Sequence, residues 1–131
     1  MTTTITIHDE TTSGEKKEAI TLEFTSSLIT VDEIIKKRIY QEVTEHNAKG
    51  NSIFRGLVQP NKAEIMLNGK KQEKKKKIDW EVQYKAAIES FKTNGIILLI
   101  NNKQADSLEQ EFEIKLDTEI SFLKLVPLVG G

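Results

Sequence analysis

The chain has no cysteine, only two prolines, and aromatic residues at 6% of its 131 positions. Without cysteine it has no disulfide framework, no zinc–thiolate site and no cysteine nucleophile. Long apolar runs are also missing. The longest purely apolar stretch, Ile96 to Ile100, is far too short to cross a bilayer. Neither sign of charge dominates: 19 Lys and Arg face 20 Asp and Glu, for a formal net charge of -1. Bulk electrostatics therefore points to no nucleic-acid or membrane partner. The opening MTTTITIHDE has no basic n-region and no apolar h-region, so it does not read as a signal peptide, and a cytoplasmic location is expected.

Candidates for chemistry inside the chain are scarce. His8 and His46 are the only histidines, and they do not stand at metal-ligand spacing. Gly50, Gly56 and Gly69 are too far apart to form a phosphate loop, and EQEFE (109–113) reads as a solvated face. The expectation is a non-enzyme with no metal site and no catalytic residue. The lysine run QEKKKK (72–77) has no interleaved aromatics, so it reads as a soluble loop and not as an RNA-binding patch.

What is present is periodic. Ile5 and Ile7 alternate with threonines and His8, and Ile20, Leu22 and Phe24 alternate through AITLEF. Both stretches have the period of two expected of half-buried strands. The polar TTSGEKKE between them makes the pair an antiparallel hairpin. A helix is predicted from Val31 to about Asn47, with Val31, Ile34, Ile35, Ile39 and Val43 on one face. Thr30 and Glu33 form a capping box there, and Ile29 and Ile34 a hydrophobic staple. AEIMLNGK (63–70) reads as a short strand with a turn at Asn68-Gly69. A second helix is predicted from Asp79, an N-cap, to Asn94-Gly95, with Trp80, Tyr84, Ala87, Ile88 and Phe91 as its apolar stripe. IILLI then reads as a central strand covered on both faces, and ISFLKLV as the last strand.

The order is β, β, α, an insertion with a second helix, β, a short connection, and β. It predicts a single α+β domain over residues 1–131, with an insertion at 50–94 and an extended tail at 127–131. The last strand pairs with the first, in parallel, through the helix crossover.

The final stretch ILLINNKQADSLEQEFEIKLDTEISFLKLVPLVGG resembles the C-terminal half of ubiquitin. An apolar strand leads to a tight turn ending in Lys103-Gln104, then a leucine-bearing connection, a last apolar strand and Gly130-Gly131. The hairpin and capped helix match the family's first half in order. The resemblance covers roughly residues 3–47 and 96–131, and it implies a β-grasp fold: a mixed sheet with one main helix. The tail is also similar to that of the small sulfur carriers of molybdopterin and thiamine synthesis. Carriers of the molybdopterin type often have proline four positions before the final glycine, where this chain has Pro127 and ubiquitin has a basic residue. That similarity favours a bacterial activating enzyme.

The resemblance implies a ubiquitin-like protein modifier. The carboxylate of Gly131 is adenylated by an E1-like enzyme, which supplies the ATP chemistry, and is then conjugated to a target. An E2-like conjugating enzyme and a deconjugating protease are further implied partners, and the chain itself holds no cofactor. Gly130 and Gly131, lacking Cβ, permit close approach in a narrow channel. Pro127 stiffens the tail, and Leu128 and Val129 give apolar grip for the activating enzyme. With Gly131 last in the sequence, no processing step is expected. Lys103 matches a chain-forming lysine of ubiquitin but reads as an exposed turn residue. Leu99, Leu123 and Leu125 are a candidate interaction surface, because family alternation would bury Phe122 and the position of Lys124. A bulge in the last strand would account for that pattern equally well. Two other readings are a sulfur carrier ending in a thiocarboxylate, disfavoured by the long insertion, and a binding module that is never conjugated.

Overall fold

The structure, a computed structural model, describes residues 2–49, 56–60, 78–125 and 129–130. The expected strand at 63–70 with its Asn68-Gly69 turn, the lysine run 72–77, and Val126, Pro127, Leu128 and Gly131 lie outside these residues.

β1 (Thr3–Glu10) and β2 (Lys16–Phe24) form the expected hairpin, with Ile5 opposite Leu22 and Ile7 opposite Ile20. The register then shifts so that His8 faces Glu18, leaving Ala19 as the extra residue of a bulge. In the turn, Gly14 adopts φ 94, a conformation that a side chain makes costly. Its N–H donates to the Thr11 carbonyl at 3.0 Å. A short β3 (Leu28–Thr30) runs straight into α1 (Val31–Lys49).

The start of α1 follows from its sequence. Thr30 Oγ1 accepts the Glu33 N–H at 3.2 Å, and Glu33 Oε1 accepts the Thr30 N–H at 3.2 Å, so the capping box is closed. The next two N–H groups find carbonyls elsewhere: Val31 donates to Gln110 and Asp32 to Leu108. This ties the helix to the connection that carries β7 (Glu111–Glu113), the antiparallel partner of β3.

Between α1 and the second helix, β4 is the pair Gln59–Pro60. Helix α2 (Trp80–Lys92) starts as read, with Asp79 accepting the Glu81 N–H. Its end differs in one detail. The left-handed residue is Asn94 at φ 63, not Gly95. Gly95 N–H reaches the Ser90 carbonyl at 2.7 Å and Asn94 N–H the Phe91 carbonyl at 3.2 Å, a Schellman closure in which asparagine takes the position glycine usually fills. The stripe differs too: Gln83, Ala87 and Phe91 are buried, while Trp80, Tyr84 and Ile88 are half-buried.

β5 (Ile96–Ile100) turns through Asn101 and Asn102, both at positive φ, into β6 (Lys103–Gln104). β8 (Ile120–Lys124) follows β7, and β9 (Val129–Gly130) comes last. The main sheet has the order β2-β1-β8-β5-β6. β1 and β8 run parallel, with Ile7 beside Ile120, and the other pairs are antiparallel. Among the described residues the fold is therefore α+β, with a five-stranded mixed sheet and two helices.

One expectation for β5 is overturned. It is not the central strand covered on both faces. β8 holds the centre, and in β5 only Ile96 and Leu98 are buried, while Ile97, Leu99 and Ile100 are half-buried. The reason is layering: α1 and α2 pack against each other through Trp80–Tyr40 and Tyr84–Asp32, so the second helix lies beside the first and does not cover the opposite face. The core between sheet and α1 holds Ile5, Ile7, Leu22, Phe24, Val31, Ile34, Ile35, Ile39, Leu98, Ile120 and Phe122. Burying one such side chain contributes about 1.5–3 kcal/mol relative to leaving it exposed.

Candidate functional site

The tail is the first candidate. Of its expected residues, Val129 and Gly130 are described, and they form β9. β9 pairs in parallel with β4, placing Gln59 beside Val129 and Pro60 beside Gly130. It also lies against α2. The sequence predicts an extended tail; the described part is extended, and it is also docked on the insertion.

The platform under β4 is built from α1. Leu57 and Val58 are 1% and 0% exposed, and the Leu57 N–H donates to Glu42 Oε1 at 3.1 Å. Glu42 Oε2 in turn accepts from Arg38 Nε at 3.2 Å. The Arg38 guanidinium closes a fork on Asp9 of β1, at 2.6 Å and 2.9 Å, and stacks 4.7 Å from the centre of the Phe122 ring. Lys124, the last residue of β8, reaches Asp9 Oδ2 at 3.7 Å. Arg38 is therefore connected both to the start of β4 and to the end of β8, the two places from which the paired strands β4 and β9 set out.

The charges in this cluster pull against burial. Burial pushes the Asp9 carboxyl up, but the hydrogen bonds and charge of Arg38, with Lys124 beside it, hold it below its ordinary value. Burial disfavours the Arg38 cation, yet its bonds to Asp9 and the charge of Glu42 raise its pKa above the ordinary value. For Glu42 burial wins: its pKa is raised, because Arg38 and the Leu57 N–H offset the desolvation only in part. Tyr84, pushed up to about 12 first by burial and then by the Asp32 carboxylate it donates to, stays a neutral donor between the helices.

The far end of the insertion is clamped from the same helix. Asn47 Oδ1 accepts the Ile78 N–H and Asn47 Nδ2 donates to the Ile78 carbonyl, both at 3.0 Å. Ile78 is buried and leads directly into the α2 cap. Glu42 and Asn47 thus hold the two described ends of the insertion.

Leu99 and Leu123 fall on the outer face of the sheet with Ile97, which pairs directly with Leu123. The β5–β8 and β1–β8 registers run without a shift, so no bulge explains the leucine pattern. Leu125 is 40% exposed just past β8, with its N–H on the Gly95 carbonyl at 2.9 Å. The structure thus brings Leu99 and Leu123 to one face, half-covered, and leaves Leu125 exposed beyond the strand. Lys103 is exposed in β6. No group of His, Asp or Glu side chains suited to a metal ion occurs among the described residues, and none of their helices is long and apolar enough to cross a membrane. A cleft of about 440 Å³ between the end of α2 and residues 104–109 carries Phe91, Lys92, Gln104, Asp106 and Glu109 on its walls.

Sequence reasoning missed the Asp9–Arg38–Glu42 cluster, although the signal was there. Asp9 continues the alternation of Ile5 and Ile7 onto the buried face, and Arg38 and Glu42 continue the four-residue spacing from Ile34. Asn47 and Glu42 as backbone clamps had no signal, because their partners lie 31 and 15 residues away.

Compared with known proteins, the chain matches no protein-family model, no curated protein and no solved structure.

Proposed function

We propose that this chain is a ubiquitin-like protein modifier with a β-grasp core, whose Gly131 carboxylate is adenylated by an activating enzyme and joined to an amine on a target protein. The observation that carries the reading is the strand arrangement: a first hairpin, one long helix across its face, and a last strand parallel to the first that leads into the diglycine. That order suits a carrier. The tail leaves from the central strand of the sheet, the part of the fold least able to shift. The half-covered Ile97, Leu99 and Leu123 supply an apolar face on the same strands for an activating or conjugating partner.

The test is mass spectrometry of tagged protein recovered from its native host. Trypsin cutting after Lys124 leaves LVPLVGG on each modified lysine. Finding that remnant on other proteins supports the modifier. A C-terminal carboxylate with one oxygen replaced by sulfur makes the chain a sulfur carrier. An unmodified carboxylate, in cells where the activating enzyme is at work, removes both readings in favour of a binding module.

A further inference from the structure

We propose that the insertion is a latch for the chain's own tail: β4 and α2 form an acceptor groove that binds Val129-Gly130 in cis and withholds the diglycine from its partners. Three observations carry this. First, β9 is paired in parallel with β4 and lies against α2. Second, β4 is not a free ribbon. Two residues of paired strand have no stability of their own in water, but Leu57 and Val58, immediately before β4, are fully buried and Leu57 is bonded to Glu42. Third, both strands of the latch depart from the Arg38 cluster. Glu42 holds the start of β4, and Asp9, shared by Arg38 and Lys124, holds the end of β8. The groove and the tail are therefore positioned by one set of charges, which lowers the entropy lost on docking.

The docking stands on these contacts alone; its regulatory meaning rests on the modifier reading. A tail threaded into a partner's channel is extended and unpaired, so pairing with β4 competes with it. The partner's apparent affinity falls by the fraction of chains that are undocked. A partner that displaces β9, or binds β4 or α2 in its place, frees the diglycine. The insertion that sets this chain apart from a compact carrier then acts as a control element, and conjugation is set by release.

Two experiments on the full chain test the latch without assuming conjugation. In the unsubstituted protein, the Gly130 amide, which the parallel register beside Pro60 turns toward β4, is expected to exchange with solvent about tenfold more slowly than in the free peptide LVPLVGG, the scale expected for one net hydrogen bond. Exchange at the peptide's rate overturns the latch. Because the chain has no cysteine, the double variant Gln59→Cys/Val129→Cys reports the same contact. Its two positions face each other across the strand pair, and an intramolecular disulfide on mild oxidation supports docking in cis. Crosslinked dimers show that the groove takes the tail of a second copy and overturn the cis latch, as does the absence of any disulfide. Gln59→Pro, which removes a strand N–H, is expected to bring tail exchange to the peptide's rate and to raise the yield of conjugates several-fold. Slow exchange with no conjugates from either protein sinks the modifier reading and leaves the docking intact. Conjugates with an unprotected Gly130 amide sink the latch alone.

Discussion

The two sides of α1 are held to the rest of the molecule in different ways. Toward the sheet, Ile34, Ile35, Ile39 and Val43 interlock with Ile5, Ile7, Leu22, Leu98 and Phe122, and the Arg38 cluster is enclosed among them. Toward the insertion, specific polar and aromatic contacts accompany the buried Leu57, Val58 and Ile78: Asn47 on Ile78, Glu42 on Leu57, Tyr84 on Asp32, and the edge of Trp80 against Tyr40. An apolar interface is stabilised in proportion to its area and fails as a unit. Individual hydrogen bonds, such as those of Asn47 and Glu42, are lost one at a time. The sheet side is thus suited to be a permanent frame, and the insertion side to open while the frame stays folded.

The strongest way to break this contrast is Arg38→Met. It leaves the Asp9 and Glu42 carboxylates buried without their guanidinium, a change that costs about 3–5 kcal/mol. Because Arg38 serves both regions, a urea titration is expected to show Trp80 fluorescence, which reports the insertion, and far-UV circular dichroism moving together to lower denaturant. Separate transitions would show that the cluster supports only one region. Asn47→Ala sharpens the contrast. Leaving the Ile78 N–H and carbonyl without partners costs about 1–3 kcal/mol, and the loss is expected on one side only. Amides of α2 exchange faster while those of β1 and β8 keep their protection. Equal loss in both would mean the insertion and frame unfold as one unit.

The smallest expected effect is in pH. The Asp9 pKa is lowered from 3.8, so its contribution to stability is complete above the unfolded value and is lost as pH falls through the folded one. The Glu42 pKa is raised from 4.5, so its contribution has the opposite sign: present below 4.5 and lost as pH rises through the folded value. Thermal melts across pH 2 to 8 (roughly the range that spans both carboxylates) are expected to lose their acid limb in Asp9→Asn. In Glu42→Gln they should lose the decline on the alkaline side of 4.5. An unchanged profile in either variant would show that the group is not coupled to folding.

Much of this was legible from local pattern. The alternation of Ile5 and Ile7, the capping box at Thr30 and Glu33 and the Asp79 cap each appear in the structure where the sequence places them. Each depends on residues fewer than about five positions apart, where backbone geometry alone limits the outcomes. The parallel pairing of β8 with β1 was also legible, because a long helix between two strands permits it. The coverage of β5 was misread, because an apolar run looks the same whether a second layer covers its far face or leaves it half-exposed. Gln83 was passed over because a polar side chain gives no signal for the buried face. Its polar side chain stands one turn before Ala87 on the buried face of α2, and its Oε1 has no partner among the described residues.

By itself, the sequence determined the first hairpin, the two helices with their N-caps, the strands β5 and β8, and which face of α1 is apolar, since these follow from periods of two and 3.6 and from the φ preferences of a few residues; the short strands β3, β4 and β9 carried no such period. It also placed a diglycine after the last strand. Only the tertiary structure decided that Asp9, Arg38, Glu42 and Lys124 meet, that Asn47 and Glu42 hold the insertion, and that Val129-Gly130 lies on β4. Those contacts join residues far apart in the chain, so they exist only once packing has brought the sheet, α1 and the insertion together and shut water out of the space between them.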